Sequence, residues 1–211
     1  GFKDYSDTNT EGIRTSSDDW PFLYMSPVKF DPIYLTIVML ILLLAWFACG
    51  QSIRQNSTAK RWKLFFLGAA FMLLELGIID RLSLVFGTTW IVNSICIFAV
   101  LTAIILSNIL IMQKPRIMPA TMMYGGLLGT LIILYVVPIQ TFNSMGMFVG
   151  GSIAALLSAV PVFFAGMIFS TAFKDEEQPS VGLAFNMLGS VIGGLTEYTA
   201  SYTGIKSLLV I

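Results

Sequence analysis

Three ionisable side chains stand in an otherwise apolar stretch of the sequence, FFLGAAFMLLELGIIDRLSLVFGTTW, at residues 65–90. They are Glu75, Asp80 and Arg81. A charge at the centre of a lipid bilayer costs at least about 2.5–3.5 kcal/mol, so membrane helices pair it, neutralise it or use it. The chemistry open to these residues is hydrogen bonding between helices, attraction of a cation, or polar contact at the membrane surface.

Depth in the membrane separates the roles expected of these three side chains. If the helix begins near Lys63, Glu75 lies about 18 Å along it, close to the bilayer midplane. Asp80 and Arg81 lie about 26 and 27 Å along the same helix. Side chains at that level can reach water. We therefore expect Glu75 to be an intramembrane polar group, and Asp80 and Arg81 to lie at the outer interface.

Two interpretations of Glu75 remain open. In the structural one, a neutral carboxyl hydrogen-bonds across helices, with Asn93, Asn108 or Asn186 as its candidate partner. In the functional one, Glu75 and Glu197 attract a small cation or polyamine that crosses the membrane. Histidine is absent from the sequence, which removes the commonest proton shuttle and metal ligand.

The composition indicates a membrane protein. Hydrophobic residues make up 56% of the chain and charged residues 11%, whereas soluble proteins carry about 25% charged residues. The formal net charge is zero, and no basic run points to nucleic acid. We expect no catalytic residue, because no nucleophile stands out beside a base, and we expect no cofactor or metal site. A minor alternative is a lipid-processing site that Asp18 and Asp19 form with Asp80 and Arg81.

A polar segment at residues 1–31 precedes a series of long apolar runs. Each run can cross a hydrocarbon core of about 30 Å, and in lipid such segments must be helices to satisfy their own backbone hydrogen bonds. The sequence therefore predicts an all-α integral membrane protein with about six complete transmembrane helices plus a truncated seventh, in a multi-pass domain at 32–211. The runs cover residues 33–50, 63–86, 88–112, 119–138, 146–172 and 180–200.

Cations concentrate in alternate loops of this predicted topology. Loops rich in lysine and arginine stay on the cytoplasmic side of a membrane. The N-terminal segment is therefore expected to face outward. The cations that follow the first, third and fifth runs are Arg54, Lys60, Arg61, Lys63, Lys114, Arg116 and Lys174.

Glycines recur at helical spacing in two of the runs. Small residues four apart let transmembrane helices approach closely, so we expect a packing role. In the last run they share one flat face with Asn186 in the middle and Glu197 at its outer end. A binding or transport path along this face is the alternative. The glycines assigned to helix packing are Gly125, Gly129, Gly182, Gly189 and Gly193.

Four short stretches carry a resemblance to a known family. They are TSSDDWPFLYM at 15–25, FMLLE at 71–75, RLSLVFGTTWIVNS at 81–94 and GSVIGGLTEY at 189–198. These stretches resemble the membrane region of bacterial spermidine-synthase-like proteins, which are multi-pass membrane proteins fused to an aminopropyltransferase-like soluble domain. The resemblance implies the bacterial cytoplasmic (inner) membrane, a soluble domain upstream of Gly1 that ends in residues 1–24, and a last helix that continues beyond Ile211.

The function expected from these observations is that of a non-catalytic membrane domain. Residues 1–31 are too few for the cofactor-binding α/β fold that an aminopropyltransferase needs. The chain would anchor or assemble with a spermidine-synthase-like soluble domain or a larger membrane complex. Its expected partners are the lipid bilayer and either other membrane subunits or the fused soluble domain. A transporter or channel-like domain for a small cation or polyamine is the alternative.

Overall fold

A computed structural model describes residues 32–87, 89–114, 117–137, 139–200, 204, 205 and 208. Every regular element within these residues is a helix. This confirms the predicted all-α class. The N-terminal segment, including Asp18 and Asp19, and most of the predicted seventh helix lie outside the described residues. The helices are α1 (Pro32–Asn56), α2 (Ala59–Phe86), α3 (Trp90–Gln113), α4 (Ala120–Val136), a 3₁₀ helix (Ile139–Met145), α5 (Met147–Lys174) and α6 (Pro179–Glu197).

Four of these helices are long and apolar enough to cross a membrane: α2, α3, α5 from Phe148 onward, and α6. The apolar part of α1, Pro32–Phe47, is shorter, and so is α4. At 1.5 Å per residue, α4 rises about 26 Å. The described chain is therefore a membrane protein with four candidate spans, where the sequence predicts about six.

Local sequence signals set the helix ends near the turn between α2 and α3. Thr58 and Thr89 each precede a helix, and their side chains accept hydrogen bonds from the N–H groups of Arg61 and Val92 at 3.4 Å. A threonine in this position satisfies one of the free N–H groups in the first turn. Gly87 ends α2 with φ +89°, a left-handed conformation that glycine adopts without steric cost.

The main apolar core lies between α2, α3 and α5. Leucine, isoleucine and phenylalanine of α2 fill the space left by small residues on the other two helices. A second, smaller cluster joins α3, α4 and α5 through Ile111, Met123, Met167 and Ile168. The buried members of the main core are Leu74, Ile78, Leu82, Phe86, Val92, Cys96, Ala99, Val100, Ala103, Ala154, Ala155, Ala159 and Val162.

Helix α6 lies outside that core and packs along α2. The two helices run in the same direction, because Gly189 of α6 lies against Phe65 and Gly193 lies one turn further along, against Ala69. Parallel neighbours place both helix starts at one end of the bundle. In the same register, the end of α6 lies beside the middle of α2, at about Leu73, and α2 continues to Phe86.

Candidate functional site

The glycine face of α6 packs against the backbone of α2. A Cβ atom on Gly193 would lie 2.5 Å from the carbonyl oxygen of Ala69, and one on Gly189 would overlap the carbonyl of Phe65. Gly68 of α2 meets the backbone of Asn186 in the same way. We call this contact between the two helices the α2–α6 seam. Backbone approach of this kind is what small residues permit in membrane helices.

Polar side chains of α6 close the same seam. The Asn186 Nδ2 donates a hydrogen bond to the Leu64 carbonyl oxygen at 3.0 Å. The Ser190 hydroxyl oxygen lies 3.2 Å from the carbonyl oxygen of Gly68 and 3.2 Å from that of Asn186. The Asn186 amide is therefore used between helices and does not line an open path.

The two glycines assigned to packing in α4 lie differently. A Cβ atom on Gly125 or on Gly129 would meet no other side chain or neighbouring backbone within 4 Å. Gly126 is the residue that packs, because a Cβ atom there would overlap the ring of Phe164 on α5. Within the described chain, Gly125 and Gly129 therefore do not pack against another helix as expected, because Gly126 is the glycine that faces α5.

One end of the bundle holds a buried ion pair that the sequence analysis missed. Arg61 Nη2 and Nε contact Glu176 Oε1 at 2.8 and 3.0 Å. The two side chains are only 10% and 4% exposed. Arg61 Nη1 also donates to the carbonyl oxygen of Asn56 at 2.9 Å. The guanidinium therefore joins the end of α1, the start of α2 and the loop before α6.

The surroundings of Glu176 hold its carboxylate in place. Its Oε1 also accepts a hydrogen bond from the N–H of Gln178 at 3.2 Å. The hydrogen bonds from Arg61, followed by that N–H, lower the pKa of Glu176 below its ordinary value of 4.5. Gly182 lets the loop fold close, since a Cβ atom there would lie 2.9 Å from Glu176 Cγ.

The end of α6 brings a carboxyl and two tyrosines together. Glu197 and Tyr198 are consecutive residues there, and both are partly buried, as is Asp80 of α2. Tyr34 stacks on Tyr198 with ring centroids 3.9 Å apart, and its hydroxyl donates to the Leu195 carbonyl oxygen at 3.0 Å.

Arg81, close to the end of α2, reaches across the bundle. Its Nη2 donates to the carbonyl oxygen of Leu134, in the last turn of α4, at 2.9 Å. That carbonyl cannot be satisfied within the helix in the usual way, because residue 138, four positions on, is a proline without an N–H. The outer-interface arginine of the sequence analysis therefore connects α2 to α4.

Glu75 stands apart from the other polar residues. It is partly buried, and its carboxyl makes no hydrogen bond or ion pair to any described residue. Asp80 lies five positions further along α2, so the two side chains point about 140° apart around the helix. None of the three expected partners reaches it: Asn186 binds Leu64, Asn108 accepts a hydrogen bond from Ser170, and Asn93 is exposed in the first turn of α3.

The described residues include no group of three or more histidine, cysteine, aspartate or glutamate side chains placed to hold a metal ion. Cys96 is buried in the main core. Comparisons of the chain with protein-family models, with curated proteins and with solved structures found no match.

Proposed function

We propose that this chain is a non-catalytic, polytopic domain of a bacterial spermidine-synthase-like protein of the cytoplasmic membrane. It crosses the membrane about six times, and it anchors a soluble domain or assembles with other membrane subunits. The observation that carries this proposal is the closed α2–α6 seam. Backbone contacts at Gly68, Gly189 and Gly193 leave no room for a solute between these helices, so the polar face of α6 serves packing.

The charge distribution supports the orientation that we propose. Arg61 contacts the end of α1 and the loop after α5, and Lys63 lies over the ring of Tyr124 at the start of α4, 5.6 Å from its centroid. These contacts bring the cation-bearing helix ends to one end of the bundle, which we assign to the cytoplasm. Asp80 and Arg81, towards the end of α2, then lie on the outer side, where we also propose that the N-terminal segment lies.

Cysteine labelling tests this orientation in intact cells, in a variant whose native cysteines are replaced by alanine. Asn93→Cys, exposed in the first turn of α3, should react with a membrane-impermeant maleimide. Gln113→Cys, exposed at the other end of α3, is the matched control and should react only after the membrane is permeabilised. The reverse pattern would overturn the orientation.

The anchoring role is tested on the native polypeptide. Peptide mapping by mass spectrometry should find an α/β domain upstream of Gly1. A protease site inserted at residues 25–31 should release that domain from carbonate-washed membranes, and membranes without the inserted site are the control. Absence of both an upstream soluble domain and a stoichiometric membrane partner would contradict the proposal.

Transport of a small cation or polyamine is a second candidate, and Glu75 is the observation that favours it. Its carboxyl is partly buried within a candidate span and makes no contact with a described partner. Intramembrane carboxyls of this kind often mark ion pathways. Spermidine or sodium flux into proteoliposomes should fall in Glu75→Gln if this candidate holds. Flux equal to that of empty liposomes across pH would exclude it.

A further inference from the structure

Helix α6 stops well short of the end of its neighbour α2. Gly193 of α6 lies against Ala69, and Glu197, the last residue of α6, lies about one turn further on. The α2–α6 seam therefore ends level with Leu73, about 20 Å before α2 ends at Phe86. Nearly half of α2 extends beyond the end of α6.

The two ends of α2 show where the membrane lies along this helix. Lys60, Trp62 and Lys63 are exposed at its start, and tryptophan and lysine are typical of the membrane surface. The turn at Gly87 closes its other end. Because α2 is a candidate span and Leu73 is in its middle, the end of α6 lies near the middle of the hydrocarbon core.

Side-chain hydroxyls satisfy backbone carbonyls at the end of α6. The last carbonyl groups of a helix have no partner within the helix, and lipid offers them none. The Tyr34 hydroxyl donates to the Leu195 carbonyl oxygen at 3.0 Å. The Thr199 hydroxyl donates to the Thr196 carbonyl oxygen at 2.7 Å. Protein groups thus supply the donors that water supplies where a helix ends at a membrane surface.

Buried residues after α6 extend the seam along α2. Ala200, Ile205 and Leu208 are each only 3% exposed, and Leu73 of α2 forms an apolar cluster with the first and the last of them. A Cβ atom on Gly77 would lie 3.5 Å from Leu208 Cβ. Gly77 lies about 14 Å before the end of α2, so Leu208 is also level with the membrane interior.

We infer that α6 ends inside the membrane, and that Ala200, Ile205 and Leu208 continue one interrupted crossing beside α2. Irregular backbone at membrane depth is tolerated where protein buries it. Gly204 has φ +98° and donates its N–H to the Ala200 carbonyl oxygen at 2.8 Å, a turn that glycine makes without steric cost. The inference goes beyond the proposed scaffold role, because it assigns these residues to the crossing that α6 begins, where the sequence predicts a separate seventh helix.

Disulfide cross-linking tests the contact beyond α6, in a variant whose native cysteines are replaced by alanine. Gly77→Cys with Leu208→Cys places two Cβ atoms 3.5 Å apart, a separation that suits a disulfide. Copper phenanthroline should therefore link them, and mass spectrometry identifies the linked peptides. Gly125→Cys with Leu208→Cys is the matched control and should stay reduced, because the Cβ position of Gly125 faces open space. Absence of the Gly77–Leu208 link overturns the inference.

Cysteine labelling tests the depth of the end of α6, in intact cells and in lysed membranes. Thr199→Cys follows α6, and Ile91→Cys in the first turn of α3 is an equally partly buried control at a helix end. In lysed membranes a membrane-impermeant maleimide should label Ile91→Cys. Thr199→Cys should stay at the background of the cysteine-free protein in both samples and react only after unfolding in detergent.

The labelling result does not depend on which side of the membrane is cytoplasmic, because lysed membranes expose both sides. Labelling of Thr199→Cys to the extent of Ile91→Cys would put the end of α6 at a membrane surface and overturn the inference, even where the Gly77–Leu208 link forms. If the double-cysteine variant does not fold, the labelling of Thr199→Cys decides alone.

Discussion

Arg81 of α2 donates a hydrogen bond to the backbone carbonyl of Leu134 in α4 at 2.9 Å. The proline at position 138 leaves that carbonyl without the usual N–H donor four residues on. One charged side chain thus satisfies a backbone group and connects two helices that share no large apolar interface. Loss of the Arg81 side chain would leave the Leu134 carbonyl without this donor, and a membrane interior holds little water that could replace it.

Replacement of Arg81 tests this connection. Arg81→Ala should lower the free energy of unfolding by about 1–3 kcal/mol, the cost of leaving a buried acceptor unsatisfied. Equilibrium unfolding in mixed detergent micelles measures the change. Arg54→Ala, at an exposed arginine of α1, is the control and should have little effect. Equal stabilities of the two variants would contradict the role assigned to Arg81.

The Arg61–Glu176 ion pair should make stability depend on pH. The folded-state pKa of Glu176 lies below 4.5, so the folded state binds this proton less readily than the unfolded state does. The resulting stabilisation is complete above the unfolded pKa and is lost as pH falls through the folded pKa. The stability difference between wild type and Glu176→Gln should therefore shrink as pH falls below about 4.5.

Unfolding curves of the two proteins at a series of pH values measure that difference. Glu177→Gln is the matched control, since Glu177 is the exposed neighbour of Glu176. The control should follow the wild-type curve at every pH. A constant difference between wild type and Glu176→Gln from neutral to acidic pH would show that the ion pair does not control this dependence.

The glycines of α6 and α4 should respond in opposite ways to the same change. Gly189→Ala forces the new methyl group into the Phe65 carbonyl and must separate α2 from α6. We expect a loss of about 1–3 kcal/mol, as in other overpacked contacts. Gly125→Ala adds a methyl group in open space, so it should be neutral or slightly stabilising. A comparable loss at both positions would contradict the seam.

Glu75 should be dispensable for stability if its carboxyl has no structural partner. Glu75→Gln removes an ionisable group from the interior of a candidate span, so the free energy of unfolding should stay constant or rise. Asn186→Leu serves for comparison, because it breaks the hydrogen bond to Leu64 and should cost about 0.6–1.7 kcal/mol. A clear loss in Glu75→Gln would instead reveal a structural role for the carboxylate.

The helices and the flat face of α6 could be predicted from the sequence because both depend on local spacing. Runs of apolar residues set the spans, and glycines four apart set the face. The partner of that face could not be predicted, since the small residues of α2, Gly68, Ala69 and Ala70, are consecutive and lack the four-residue spacing. The cations near Lys63 resemble loop residues and predict a helix that starts there, but α2 begins at Ala59, directly after the capping residue Thr58.

The polar contacts were hardest to predict, because they join distant parts of the chain. The sequence predicts Arg61 to be one of several loop cations that orient the protein, yet its partner Glu176 lies 115 residues away. The depth of Glu75 predicts a polar contact there, whereas the structure uses Arg61, Arg81 and Asn186 to join helices.

The contact between α2 and α6 joins two helices that are far apart in the chain, and this has a consequence for biogenesis. The Asn186–Leu64 hydrogen bond joins residues 122 positions apart, and ribosomes add about 5–20 residues per second. The glycine-bearing surface of α2 therefore waits about 6–25 s in the translocon or the bilayer before α6 emerges. During that interval it is open to other membrane helices, so a chaperone or insertase that shields α2 should raise the yield of correctly assembled protein.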